Sequence, residues 1–119
     1  LDYYQVNGYA DFYYREPHLS YFSISTLKKA LDQAGLKGKI KTIQRYNLLN
    51  HLNWVMTNGP QNSFALGNGE PVLVTSSKVA NPKIKDELNA FIQKTDKEYK
   101  KIIDKHNLGE SLTFLGKRK

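Results

Sequence analysis

The residues best equipped for chemistry lie in Tyr13-Tyr14-Arg15-Glu16-Pro17-His18-Leu19-Ser20-Tyr21-Phe22-Ser23, where four aromatics, one imidazole and one proline share eleven residues. Tyrosine suits a place where one end of a ring is buried and the other is wet. Such a stretch either lids a small core or walls a ligand pocket with His18 as its polar tip. A second constellation follows in Arg45-Tyr46-Asn47-Leu48-Leu49-Asn50-His51-Leu52-Asn53-Trp54. On a helix beginning near Leu48, Asn50, His51 and Trp54 stand three and four apart on one flank, beside an apolar stripe of Leu48, Leu52 and Val55. That flank either lines a pocket or forms a polar seam against another element. Tyr14, Arg45, His51 and Trp54 then belong to one aromatic pocket near His18.

Other chemistries find little support. Cysteine is absent, which removes disulfides, thiol catalysis and cysteine zinc sites. None of His18, His51 and His106 sits in a metal-ligand pattern, and His106 reads as a structural cation at a helix C-terminus. No serine has a nucleophile-elbow context, and the carboxylates are scattered on helix faces. Gly67-Asn68-Gly69 leads into Glu70-Pro71 and not into a helix start, so the amide cradle a phosphate needs is missing.

The elements that must position these residues follow from periodicity. Ser23 predicts an N-cap for a helix over 24–34, with Leu27, Ala30, Leu31 and Ala34 at helical spacing and Gly35 as a stop. Residues 39–46 read as a strand. Asn47 caps a second helix over 48–57, whose stripe is Leu48, Leu49, Leu52, Val55 and Met56. Asn81-Pro82 opens a long helix over 82–106. Its apolar face is Ile84, Leu88, Phe91, Ile92, Tyr99, Ile102 and Ile103, with Lys83/Glu87, Lys94/Glu98 and Asp96/Lys100 on the wet side. Residues 111–116 form a second strand before a basic tail. Residues 1–11 read as an irregular lead-in, 61–80 as a loop-rich insertion, and Val72 to Thr75 as a short strand within it.

The chain's 119 residues suit one domain, and its 39% apolar and 12% aromatic content suits a folded one. Leu1 is not a natural start, so a fragment or processed product is expected. Two strands make a marginal sheet alone, so either the helices cover it well or further strands lie elsewhere in the protein. No run is long enough to span a bilayer and no secretion signal is visible, so cytoplasmic residence is the default reading. The net charge of +7 gathers at Lys28, Lys29, Lys37, Lys39, Lys41 and Arg45. Lysine outnumbers arginine fifteen to three and no nucleic-acid motif accompanies it, which argues for a solvated face over a nucleic-acid site.

Taken in order, His18-Leu19-Ser20-Tyr21-Phe22-Ser23, then Leu27 and Ala34-Gly35-Leu36, resemble the late region of class I S-adenosylmethionine-dependent methyltransferases. Arg45-Tyr46 with Asn50-His51-Leu52, Trp54 and Gly59-Pro60 resembles an insertion of one bacterial branch, and Tyr99 with Gly109-Glu110-Ser111-Leu112 is similar to that branch's closing pattern. The resemblance implies an α/β fold: the C-terminal part of a doubly wound, Rossmann-like sheet. The cofactor would be held by an N-terminal half of the same protein, since the glycine-rich turn and ribose-gripping acid are absent, and no metal is implied. It implies His18 as the residue taking a proton from a small-molecule acceptor, with Tyr14 and Tyr21 as walls and Arg45, Tyr46, Asn50, His51 and Trp54 as substrate contacts. The competing expectations are a basic module for an anionic partner, and an interaction or solute-binding domain fragment.

Overall fold

The computed structural model describes residues 4–14, 20–77 and 81–118. It is a mixed α/β structure with five helices and one two-stranded antiparallel sheet among those residues. In chain order these are α1 (Tyr9–Tyr13), α2 (Ile24–Gln33), β1 (Leu36–Ile43), α3 (Leu48–Thr57), α4 (Phe64–Asn68), α5 (Pro82–Lys105) and β2 (Ser111–Arg118). The molecule is elongated, 60 × 30 × 22 Å, partly because α5 alone runs 24 residues.

Local chemistry accounts for the helix ends. Ser23 Oγ accepts the Thr26 amide while Thr26 Oγ1 accepts the Ser23 amide, a reciprocal capping box at α2. Gly35, at φ 70°, takes the left-handed turn that releases the chain from α2 into β1. Asn81 accepts from the Lys83 amide and Pro82 opens α5. At the far end His106 is the C-cap and Asn107 adopts φ 55°, which turns the chain toward β2. Both β-strands pair in register from Leu36↔Arg118 to Ile43↔Ser111.

Several sequence expectations are corrected here. The first strand is Leu36–Ile43 and not 39–46, because amides beyond Ile43 are claimed by side chains. Gln44 N donates to Asp104 Oδ1 at 3.2 Å, and Arg45 N and Tyr46 N donate to Glu110 Oε1 at 2.7 and 3.0 Å. The strand starts early because the expected basic tail is part of β2, with Lys117 opposite Lys37. Gly38 faces Gly116, and a Cβ on either would lie under 3 Å from the partner backbone and from the Phe114 ring. The two glycines thus let that ring lie against the backbone.

Val72 to Thr75 forms no strand. Asn89 on α5 takes its backbone groups instead, accepting from Leu73 N and Val74 N and donating to Val74 O. The lead-in contains α1 and the insertion contains α4, both too short to show a period. The apolar stripe of α3 is not its buried face: Leu52, Val55 and Met56 are exposed, Met56 by 80%, while Asn50, His51 and Trp54 are buried. On α5, Ile92 and Ile103 are buried but Ile84, Leu88, Phe91 and Ile102 are exposed. Asp96 is buried, not on the wet side. Its Oδ1 accepts the Leu48 amide at 2.7 Å and its Oδ2 pairs with Lys100 at 3.0 Å. Glu98 pairs with Lys101 at 2.7 Å. No helix is long and apolar enough to cross a membrane among the described residues.

Candidate functional site

Asn47 is the hinge pin of the site. It is fully buried, and its Oδ1 accepts from the Asn50 amide, capping α3. Its Nδ2 donates to Leu66 O and Gly69 O at 2.7 and 3.0 Å, and its backbone amide donates to Gly67 O at 2.7 Å. One side chain and one amide therefore hold the α4 loop against α3. The carbonyls of Leu66, Gly67 and Gly69 all turn inward to Asn47, so this glycine loop offers no amide cradle to an anion.

α1, residues 20–28, α3 and α4 then border a groove of about 1800 Å³. Trp54 stands at its centre, edge-on to Tyr9 and Phe12 with ring centroids 5.2 and 5.1 Å away. Tyr13, Tyr14 and Tyr21 form a second cluster with centroids 4.7–5.8 Å apart. Tyr21 OH donates to Tyr13 O at 2.8 Å, and Tyr13 OH donates to Glu110 O at 2.8 Å. Tyr46 packs edge-on to Phe64. Burial raises the Tyr13 hydroxyl above its ordinary pKa, and the charge of Glu110 adds to the rise more than Arg45 opposes it.

Of the residues singled out from sequence, Tyr14, Tyr21, Arg45, Tyr46, Asn50 and Trp54 all line this groove. His18, with Arg15, lies outside the described residues. His51 does not line the groove. It sits in the seam between α3 and α5, where its Nδ1 bonds to Tyr99 OH and its Nε2 to Gln44 Nε2 at 2.9 Å. Gln44 Nε2 also donates to Tyr46 O, which can only accept, so the carboxamide nitrogen faces His51. That makes His51 Nε2 an acceptor and assigns the ring proton to Nδ1, donated to Tyr99. Tyr99 OH in turn meets Tyr4 OH at 2.9 Å. Burial lowers the His51 pKa to about 4, and raises that of Tyr99. His51 is therefore a neutral structural link at neutral pH, and its partner Gln44 reaches the groove.

Sequence reasoning missed Thr42, Gln44, Gln61, Phe64 and Glu110, which also line the groove. Glu110 lies 65 residues from Arg45, and only the β1–β2 register brings them together. Gly109 presses on the Ile43 backbone, where a Cβ would come within 2.7–2.9 Å, so that register depends on a glycine just before Glu110. No group of three or more His, Cys, Asp or Glu able to hold a metal ion occurs among the described residues. Known protein families, curated proteins and solved structures each yield no match to this chain.

Proposed function

We propose that this chain is the substrate-side part of a class I S-adenosylmethionine-dependent methyltransferase, and that its two-stranded sheet belongs to a larger doubly wound one. The observation that carries the reading is the groove. Tyr14, Tyr21, Arg45, Tyr46, Asn50 and Trp54, named from the order of the motifs, converge on it from separate segments. The cofactor itself does not fit the residues present: among the described residues no glycine-rich turn joins a strand to a helix, and the Gly67–Gly69 loop points its carbonyls at Asn47. No step is therefore routed through it on this chain. This chain's contribution is to bind and orient the acceptor between aromatic walls and to exclude water from it. By the resemblance, His18 takes the proton of the attacking group.

The outer faces of α3 and α5 support a partner half. Leu52, Val55 and Met56 on α3 and Ile84, Leu88 and Phe91 on α5 are exposed apolar residues on neighbouring helices. Apolar surface of this kind marks contact sites. The test is the protein with its upstream coding region, which should supply a strand followed by Gly-x-Gly. That longer protein should bind S-adenosylmethionine in equilibrium dialysis, and this chain alone should not. Trp54→Ala in the longer protein should weaken methyl-acceptor binding and leave cofactor affinity unchanged. Tight cofactor binding by this chain alone, or none by the longer protein, removes the reading.

A basic binding module is the second reading, and one observation favours it. Lys37, Lys39 and Lys41 alternate along β1 opposite Lys117, Leu115 and Thr113, so they share one sheet face, and all are exposed. Binding of a polyanion there should weaken steeply with salt, whereas groove binding should not.

A further inference from the structure

Three buried side-chain oxygens have no hydrogen-bond partner among the described residues: Thr42 Oγ1, Gln61 Oε1 and Glu110 Oε2. All three residues line the aromatic groove. Orphaned polar atoms are rare in folded chains and each calls for an explanation. Their gathering in one groove is the explanation sought here. Gln61 is the weakest of the three. A turned carboxamide would put a donor nitrogen in place of its orphaned oxygen. Thr42, 7% exposed, both donates and accepts. Glu110 decides the sign. Its Oε1 already serves two backbone amides, and its Oε2 can only accept.

We infer that the groove selects an organic ammonium group, carried on an apolar or aromatic body of benzyl size or larger, and that Glu110 Oε2 is its acceptor. The inference deepens the reading of the groove as a substrate site and rests on it. Aromatic walls attract a cation through the negative faces of their rings. An ammonium also supplies the donors that Glu110 and Thr42 lack, and a hydrogen bond between two charged groups outweighs a neutral one. The groove's two cations do not cancel this. Lys28 and Arg45 are both exposed, where water and salt screen them. Glu110 Oε2 lies just beneath the groove's surface, where its field is stronger, and a lining side chain turns aside to let an ammonium reach it. At the Tyr13 hydroxyl, between the two, the charge of Glu110 outweighs that of Arg45.

The test uses Trp54, the chain's single tryptophan, as the reporter of binding in the groove. Quenching of its fluorescence is titrated with benzylamine, benzyl alcohol and benzoate, and with cyclohexylmethylamine, cyclohexylmethanol and cyclohexanecarboxylate. The ammonium member of each set is expected to bind about tenfold tighter than its alcohol, and the carboxylate weakest. Glu110→Gln keeps an oxygen for the Arg45 and Tyr46 amides and replaces the orphan acceptor by a donor. It should erase the preference while circular dichroism and melting temperature show the fold intact. Arg45→Gln, altered only at an exposed side chain, should strengthen ammonium binding about twofold. The inference is overturned if neither ammonium binds below ~10 mM, if an alcohol or carboxylate binds equally well, or if the preference survives in a folded Glu110→Gln protein. No methyl donor is present in the assay, so its outcome is separate from the cofactor dialysis. An ammonium preference with no cofactor binding by the longer protein would retain the ligand class and remove the methyltransferase.

Discussion

The two faces of α3 invert the usual order of a helix. Its inner flank buries Asn50, His51 and Trp54, while Leu52, Val55 and Met56 on the other side face solvent. Hydrophobicity alone would turn the helix the other way, since burying a Leu or Met side chain stabilises by roughly 1.5–3 kcal/mol. What holds the observed orientation is a set of hydrogen bonds at the helix N-terminus and on the polar flank. Asn47 ties the α3 N-terminus to α4, Asp96 ties it to α5, and His51 joins Gln44 to Tyr99. The difference teaches that this helix is oriented by directional bonds, and that its apolar face is left for something else. Tyr9, Trp54, Ile92 and Ile103 are the only buried hydrophobic residues among those described, so the polar network carries an unusual share of the stability.

The sharpest way to break that contrast is at Asn47. Asn47→Ala removes the α3 cap and leaves the part-buried carbonyls of Leu66 and Gly69 without their donor. The cap is worth about 1 kcal/mol, and each orphaned buried group costs about 1–3 kcal/mol. A loss of about 3–5 kcal/mol is expected in urea denaturation, with detachment of the α4 loop. Asn47→Asp keeps the cap but turns a buried carboxylate oxygen on the two carbonyls, so it should cost at least as much as the alanine. Equal stability of all three proteins would mean that the polar flank does not hold the helix.

A fall in pH attacks the same flank through His51. Its folded pKa, about 4, lies below the ordinary value of 6.5 because burial disfavours the imidazolium. A second N–H at Nε2 would also point at the Gln44 amide nitrogen. The unfolded chain therefore takes up the proton first as pH falls through 6.5. Stability from neutral His51 is complete above about pH 6.5 and lost progressively toward pH 4. The shift sets an upper bound of about 3 kcal/mol on that loss. His51→Gln removes the titrating group, so its own pH–stability curve should be flatter than the parent's in that window. Parallel curves would place the ring in water.

Asp96→Asn gives a smaller effect. The substituted amide keeps an oxygen for the Leu48 N–H but loses the charge that meets Lys100, whose side chain is 26% exposed and can turn to solvent. A loss of about 1 kcal/mol is expected, and added salt should reduce the difference between the two proteins.

Much of the fold was legible in the sequence because caps and breakers are local. Ser23, Gly35, Asn47 and Asn81-Pro82 mark their helices by side-chain chemistry within one turn. The strand bounds were not legible, since Asp104 and Glu110 end β1 from sixty or more residues away. Periodicity also misjudged which face of α3 is buried. A hydrophobic stripe reports what a helix could bury, and not whether the burying surface lies within the same chain. The groove was half legible: Asn50 and Trp54 share a helical flank, but Glu110 and Thr42 join them only through the sheet register. His51 was visible on the same flank, yet a helix spacing cannot say that it leans toward Tyr99 and away from the groove.

The smallest expected effect sharpens the comparison most, because it separates the chain from its surroundings. Val55 and Met56 are 47% and 80% exposed. Val55→Glu with Met56→Glu adds charge to a surface that touches little, so stability in this chain should move by no more than about 0.5 kcal/mol per site. α3 has high-propensity glutamate available at both positions, which offsets any lost contact. In the longer protein the same pair should destabilise clearly, by roughly 1–3 kcal/mol, if that face is covered there by apolar neighbours. The measurement is the melting temperature of both proteins with and without the substitutions. A large loss in the short chain would mean that the outer face already packs against it. No loss in either would mean that nothing covers the face, and the polar flank alone would then account for how α3 sits.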